Sequence, residues 1–150
     1  MTKMRIPLRL RWSDVDGYGH VNNAEFFRLL EEARIAAFWS SEDGSTDFPT
    51  AILAGGPGHD AQTVVARHAI EYLKPMAYRR DEITVELWLS KIGGASIDLS
   101  YRIVDSAEVV YVQAQSTIVL VDTESGAPRR ITPEVRAVLA AYVAEPVKMR

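Results

Sequence analysis

Trp12-Ser13-Asp14-Val15-Asp16-Gly17-Tyr18-Gly19-His20-Val21-Asn22-Asn23 runs without a break into an apolar-faced segment, Ala24 to Trp39. These residues place two carboxylates, a histidine, two glycines and two asparagines in one turn ahead of what the spacing predicts to be a long helix. The first amides of a helix lack intrahelical acceptors and point outward, so they attract negative charge. Chemistry is expected at this junction.

At about 100° per residue, Phe26, Leu29, Leu30, Ala33, Ala36 and Ala37 fall within an arc of roughly 120°. Glu25, Arg28, Glu31 and Glu32 lie on the opposite side, and Phe27 and Phe38 widen the apolar face. A helix apolar over so much of its girth is expected to be enclosed by a sheet. Asn22 or Asn23 fits the N-cap, and Glu25 fits the first turn, where its charge suits the dipole.

The flanking sequence supplies that sheet. Ile6, Leu8, Leu10 and Trp12 alternate with Arg5, Arg9 and Arg11, which predicts a half-buried strand over Arg5–Trp12. After the helix, Ser40 to Ser45 read as loop. Ala51 to Ala54 form a candidate helical turn after Pro49, and Gly55-Gly56-Pro57-Gly58 read as a connector or pocket lid. No Gly-Lys-Ser/Thr follows those glycines, so they do not read as a phosphate loop. From Thr63 onward nearly everything is strand: Thr63–Leu73, Asp81–Ile92, a Gly93-Gly94 hairpin into Ser96–Val104, then Glu108–Val121 ending in a turn over Asp122–Gly126. Thr132-Pro133-Glu134 reads as N-cap, first helical position and first-turn acid of a short helix running to about Ala144. Strands joined in succession by tight turns argue for an antiparallel sheet whose apolar face the long helix covers. The fold class is α+β, in one domain over residues 1–150.

Composition narrows the function. With 17 basic and 20 acidic residues the net charge is −3, and no block of like charge stands out, so nucleic acid is not the expected partner. The chain has no cysteine, which removes disulfides, thiolate metal sites and a cysteine nucleophile and leaves the cytosol as the default compartment. No apolar run approaches the roughly 18 residues of a membrane span, and the N-terminus has no apolar signal core, so a soluble, unprocessed protein is expected. No Gly-x-Ser-x-Gly elbow exists. His20, His59 and His68 lack the spacing of a zinc helix, and no metal site is expected. His59 reads as surface loop, and His68, inside a strand, as a packed or hydrogen-bonded side chain.

Asp14 and Asp16 have two readings. They can cap turns and satisfy backbone donors. An acid just upstream of exposed helix N–H groups can also attack, or activate water against, a carbonyl that those groups polarise.

The run Arg11 to Asn23 followed by Glu31-Glu32-Ala33-Arg34 resembles the signature of the hotdog-fold acyl-CoA thioesterases of the 4-hydroxybenzoyl-CoA thioesterase group. Ile70-Glu71-Tyr72-Leu73-Lys74-Pro75, Arg80-Asp81-Glu82 and the strand and turn over Val119–Pro128 extend the likeness to nearly the full chain. The resemblance implies a five- or six-stranded curved antiparallel sheet wrapped around the long helix, with protomers paired edge to edge as a homodimer or homotetramer. It implies hydrolysis of acyl-CoA without a cofactor, coenzyme A being part of the substrate. Asp16 is then the nucleophile or general base, the Asn23 amide polarises the thioester carbonyl with Val21 and Asn22 alongside, and His20 assists the attack or else holds the turn by hydrogen bonds. Glu32, on the polar side of the helix, reads as a salt-bridge residue.

Two departures from the family follow. Plant acyl-carrier-protein thioesterases, which share His-Val-Asn-Asn, have an asparagine two residues after the aspartate, where this chain has Tyr18; no Asp-Asn-His triad transfers, and Tyr18 is counted with the substrate contacts. The loop that often reads Arg-Ser-Ser is here Gly93-Gly94-Ala95-Ser96, which keeps Ser96 as a contact and moves the grip on the coenzyme A phosphates to Lys91, Arg79 or Arg80. An acyl-carrier-protein thioesterase, a hotdog hydratase or dehydratase, and a non-catalytic acyl-CoA-binding module are the competing readings.

Overall fold

The computed structural model describes residues 3–41, 43–45, 47–53, 56 and 58–150. Five strands, β1 (Met4–Leu8), β2 (Ala61–Tyr72), β3 (Ile83–Ile92), β4 (Ser96–Val104) and β5 (Val110–Asp122), form one sheet in the order β1-β3-β4-β5-β2. Every pairing is antiparallel, and the sheet curves around helix α1 (Glu25–Phe38) as a hotdog fold. Register slips at Val65/Arg67, Leu89/Lys91 and Ile103/Val104 are bulges of the kind that bend a strand.

Alternation decides which side faces the helix. Ile83, Val85, Leu87 and Leu89 of β3, and Ile97, Leu99, Tyr101 and Ile103 of β4, are buried together with Phe26, Leu29, Leu30, Ala33 and Ala37 of α1 in one cluster. Each such side chain contributes about 1.5–3 kcal/mol when fully buried, alanine much less. Ala36, at the margin of the predicted arc, is exposed, whereas Arg34 is buried and donates to the Tyr101 hydroxyl at 3.2 Å. The C-terminus of α1 meets the buried Thr50, whose hydroxyl donates to the Ala37 carbonyl at 2.6 Å.

The ends of β2, β3 and β5 fall within two residues of the sequence reading, and three other segments depart from it further. The first strand stops at Leu8, and Trp12 opens a 3-10 turn, Trp12–Asp14. The alternation therefore ends before Trp12, whose ring is 71% exposed with Tyr78 against it at 5.3 Å. The predicted turn over Ala51–Ala54 is not helical where described: the Leu53 amide donates to Phe38 and its carbonyl accepts from Ser40, bridging the helix end. Glu42, Ala54, Gly55 and Pro57, on which the loop readings partly fall, lie outside the described residues. Finally, helix α2 (Pro133–Leu139) begins as expected, with the Thr132 hydroxyl accepting from the Val135 amide, and passes at Leu139 into a 3-10 turn over Ala140–Tyr142.

It stops short of Ala144 because the chain then joins the sheet. The Ala144 amide donates to the Leu89 carbonyl at 2.8 Å, and the following residues cross the sheet face turned away from α1. Trp88 Nε1 donates to the Glu145 carbonyl, the Val147 amide to Ser100 Oγ, and Gln115 Nε2 to the Val147 carbonyl. None of the described helices is long and apolar enough to cross a membrane.

Candidate active site

The motif folds as a tight hairpin ahead of α1. Val15 bridges Val21, the Asp16 amide donates to the His20 carbonyl at 2.8 Å, and the Gly19 amide donates to the Asp16 carbonyl at 3.1 Å. Gly19 closes this loop at φ +78°, a left-handed conformation that a side chain disfavours. The distal limb is fastened to the segment after β2 by Val21 N–H to the Met76 carbonyl at 2.8 Å and Tyr78 N–H to the Gly19 carbonyl at 3.3 Å.

The two aspartates separate here. Asp14 is 2% exposed and accepts from the Arg11 amide at 2.7 Å and the Arg11 guanidinium at 2.9 Å, which closes the 3-10 turn. Asp16 is half-buried; its Oδ1 accepts from the amides of Tyr18 at 2.8 Å and His20 at 3.3 Å. Those bonds fix the carboxylate plane, and Oδ2 has no hydrogen-bond partner among the described residues.

Asp16 lines a cleft of about 440 Å³ with His20, Val21, Asn22 and Asn23 on one wall, Phe26 at the start of α1, and Tyr72 to Met76 on the other. The helix start is organised by Asn22: its side-chain oxygen accepts from the Ala24 amide at 3.0 Å and its carbonyl from the Glu25 amide at 2.9 Å. Ala24 holds the formal cap position without a side-chain bond, so the expected capping chemistry belongs to Asn22, placed one residue before Asn23. Val21 N–H is engaged by Met76 and Asn22 N–H by Asp14; the Asn23 N–H has no acceptor among the described residues. Of the three amides named from the sequence, one is left open to a ligand.

A model of the thioesterase-like superfamily matches residues 10–139, most of the chain. The chain belongs to that superfamily. A curated relative, the long-chain acyl-CoA thioesterase FadM of Escherichia coli, is 30% identical over 141 residues, covering 93% of this chain and 99% of its own. A thioesterase of Thermus thermophilus, solved in complex with coenzyme A and zinc, is 25% identical with a TM-score of 0.69, covering 92% of this chain and 93% of its own. A predicted thioesterase of Bacillus stearothermophilus, at 23% identity, matches the fold with a TM-score of 0.76 over 97% of this chain and 99% of its own. The protein is a thioester hydrolase.

The remaining residues named from the sequence lie outside the cleft of this thioesterase chain. Tyr18, at the hairpin tip, is 87% exposed. Arg79 bonds Asp105 at 3.2 Å and the Tyr111 hydroxyl at 3.2 Å, which ties it to the β4–β5 hairpin. Arg80 is exposed, and its carbonyl accepts from Arg9. Lys91 faces a separate hollow on the outer side of the sheet with Arg67, Asp98 and Pro146, and Ser96 sits beside Gly93 in the β3–β4 turn. Glu32 borders a third hollow with Arg9, Arg11 and Arg28 and has no ion-pair partner among the described residues. His68 is packed, as its strand position suggested: Nδ1 lies 2.6 Å from Ser116 Oγ, Phe27 stacks at 5.2 Å, and burial lowers its pKa.

Tyr72 was missed as a site residue, although its alternation in β2 points it inward. Its ring packs on Phe26 at 5.7 Å, and its hydroxyl donates to the Asn23 carbonyl at 2.8 Å. Phase within the strand was the available signal. The partner across the cleft was not, because the contact joins residues 49 apart in sequence.

Proposed function

We propose that the protein hydrolyses acyl-CoA thioesters, with the Asp16 carboxylate as nucleophile or general base and the Asn23 amide as the donor to the oxyanion. The observation that carries this reading is one cleft lined by a carboxylate with an oxygen, and by a backbone donor, that have no hydrogen-bond partner among the described residues. The acyl-CoA substrate is supported by the activity of the Escherichia coli relative and by the coenzyme A bound to the Thermus protein.

In the nucleophilic form of the reaction Asp16 Oδ2 adds to the thioester carbonyl, the C–S bond breaks, and the coenzyme leaves as a thiolate that takes a proton. Water then cleaves the mixed anhydride and restores the carboxylate. In the general-base form Asp16 removes a proton from water as the water oxygen adds to the same carbon, the C–S bond then breaks, and the departing thiolate takes up that proton. Both forms build negative charge on the carbonyl oxygen, and one preorganised donor there is worth about 2.7–4 kcal/mol. The backbone of His20 holds the hairpin, and its imidazole has no hydrogen-bond partner among the described residues. It is free to hold the attacking water or the departing sulfur.

The test is release of free thiol from a panel of acyl-CoA and acyl-carrier-protein thioesters with short, long and aromatic acyl groups. Asp16→Asn is expected to lower turnover by about 10²- to 10⁴-fold, in the range of general acid–base catalysis, with an unchanged melting profile; His20→Ala is expected to lower it less. Near-parent hydrolysis by Asp16→Asn removes the carboxylate from the mechanism.

Self-association through β2 completes the proposal. This strand ends the sheet, with no strand on its outer edge among the described residues and with Val64, Val65, Tyr72 and Leu73 partly exposed along it and just beyond. Two copies joined there would bring a second chain to the rim of the Tyr72–Met76 wall, in a dimer or a tetramer built from such dimers. The measure is the solution mass, an even multiple of the 16.7 kDa chain.

A further inference from the structure

Neither the Asp16 carboxylate nor the Asn23 amide is held by the hydrophobic core directly. Both sit in loop backbone between β1 and α1, and the peptide groups around Asn23 precede the first regular helical turn. An oxyanion donor works only if its direction is fixed before the charge develops, because reorienting it during the reaction consumes the stabilisation it offers. Asn22 holds part of that backbone, through the Glu25 amide on its carbonyl and the Ala24 amide on its side chain, and a contact from outside the loop adds to it.

From this geometry we infer that Tyr72 is a positioning residue for thioester hydrolysis, its hydroxyl clamping the Asn23 carbonyl from across the cleft so that the adjacent Asn23 amide stays aimed at the reacting carbonyl. The inference rests on the mechanism proposed above. The Tyr72 hydroxyl donates to the Asn23 carbonyl at 2.8 Å, and no other donor reaches that carbonyl among the described residues. The amide of Phe27, four residues on and so the usual helical donor to that carbonyl, goes to Ala24 instead, at 3.3 Å. Residue 23 thus carries an open N–H on one side and a carbonyl held only by Tyr72 on the other. Fixing the carbonyl restricts ψ of Asn23 and, through the planar peptides on either side, the direction of its N–H.

The clamp is itself well braced. Tyr72 closes β2, paired with Val112 of β5, and the next two amides, Leu73 and Lys74, both donate to the Tyr111 carbonyl. Its ring lies tilted on Phe26, which is 3% exposed. Burial raises the phenol pKa above its ordinary value, so the hydroxyl keeps its proton across the neutral range and remains a donor. A tyrosine in this position connects the sheet edge to the start of the helix at the point where the two walls of the cleft face each other.

Tyr72→Phe separates the clamp from the packing, because the ring on Phe26 stays and the hydroxyl goes. Loss of one hydrogen bond that orients a donor is expected to lower kcat about tenfold, with the Kd for a non-hydrolysable acyl-CoA thioether and the melting temperature close to those of the parent. Tyr72→Leu removes the ring as well and is expected to weaken thioether binding in addition. A merely structural tyrosine would shift the melting temperature and leave kcat per folded enzyme unchanged. The assignment is overturned if Tyr72→Phe keeps kcat within about twofold of the parent, or if its Kd rises as much as kcat falls. Asp16→Asn run in parallel keeps the two claims apart: lost turnover there with full turnover in Tyr72→Phe removes the clamp alone, and retained turnover there removes the carboxylate alone.

Discussion

Asp14, Asp16 and Asp105 show how one residue type takes three jobs according to the donors it meets. Asp14 is closed off by Arg11, whereas Asp16 lines the cleft and keeps one oxygen without a hydrogen-bond partner among the described residues. The sequence identified the pair but not the division of labour by chemistry alone, since both lie in the same turn; only the resemblance favoured the second. The decision depends on which way each residue points once the 3-10 turn forms, and that turn is three residues long with no periodicity to detect. Asp105, at the β4–β5 hairpin, collects the amides of Val109 and Ala107, the Tyr111 hydroxyl and the Arg79 guanidinium. The Val109 bond first, and then Tyr111, Arg79 and Ala107, outweigh burial and hold its carboxyl below the ordinary carboxylate value. A carboxyl depressed in the folded state binds fewer protons there than in the unfolded chain. Its stabilisation is therefore complete above the unfolded value, near pH 4, and is lost as pH falls through the lower folded value. Urea denaturation from pH 6 down to pH 2 is expected to show this loss, and Asp105→Asn to flatten it while lowering stability at pH 6. An equal slope in the variant would assign the acid sensitivity to other carboxylates.

At the level of elements, alternation and breakers were strong guides where the sheet is regular and weak where the chain changes role. β4 came out with both ends as observed, because Gly93-Gly94 and the polar turn after Val104 punctuate a clear period of two. The reading overran at Trp12 because a period of two carries no information on where pairing stops; β1 ends when its partner β3 begins at Ile83. Arg34 was illegible for the opposite reason: a cation on a buried helix face goes against the pattern, and only Tyr101 on a strand 67 residues away explains it. The outer edge of β2 is the element with an unmet demand, since the far side of this twelve-residue strand, without a partner strand among the described residues and beside exposed valines, invites strand pairing. A charge at its centre, as in Val65→Lys, is expected to shift the mass seen by light scattering toward the single chain and to reduce turnover in proportion. A parent protein that is monomeric at micromolar concentration would dismiss the edge pairing.

Across the whole molecule the sheet has two faces and one cover for each. Helix α1 covers the inner face, as its apolar girth foretold. The outer face is crossed by residues 143–150, the first two of which the sequence reading gave to the short C-terminal helix and the rest of which have no element pattern, so that the role of the segment is visible only in the folded chain. Val147 is 4% exposed there, Trp88 beneath it 2%, and Ser100 0%. The segment touches β3, β4, β5 and β2 in turn, ending with the Arg150 amide on Glu71 at 2.9 Å, one residue from Tyr72. It is therefore an eight-residue strap laid across four neighbouring strands of the sheet. Removing residues 143–150 exposes the Val147 side chain's seat and leaves Trp88 Nε1 without its carbonyl. Burial of one valine contributes about 1.5–3 kcal/mol and each hydrogen bond about 0.5–1.5 kcal/mol, offset by the entropy of ordering the strap. The truncated chain is expected to lose roughly 2–4 kcal/mol in urea denaturation, with quenched Trp88 fluorescence as water reaches the indole. Because the strap ends against the residue preceding Tyr72, its loss is also expected to lower kcat more than it raises KM. A truncated enzyme within about 0.5 kcal/mol of the parent, the range of ordinary surface changes, would mean that the outer face needs no cover.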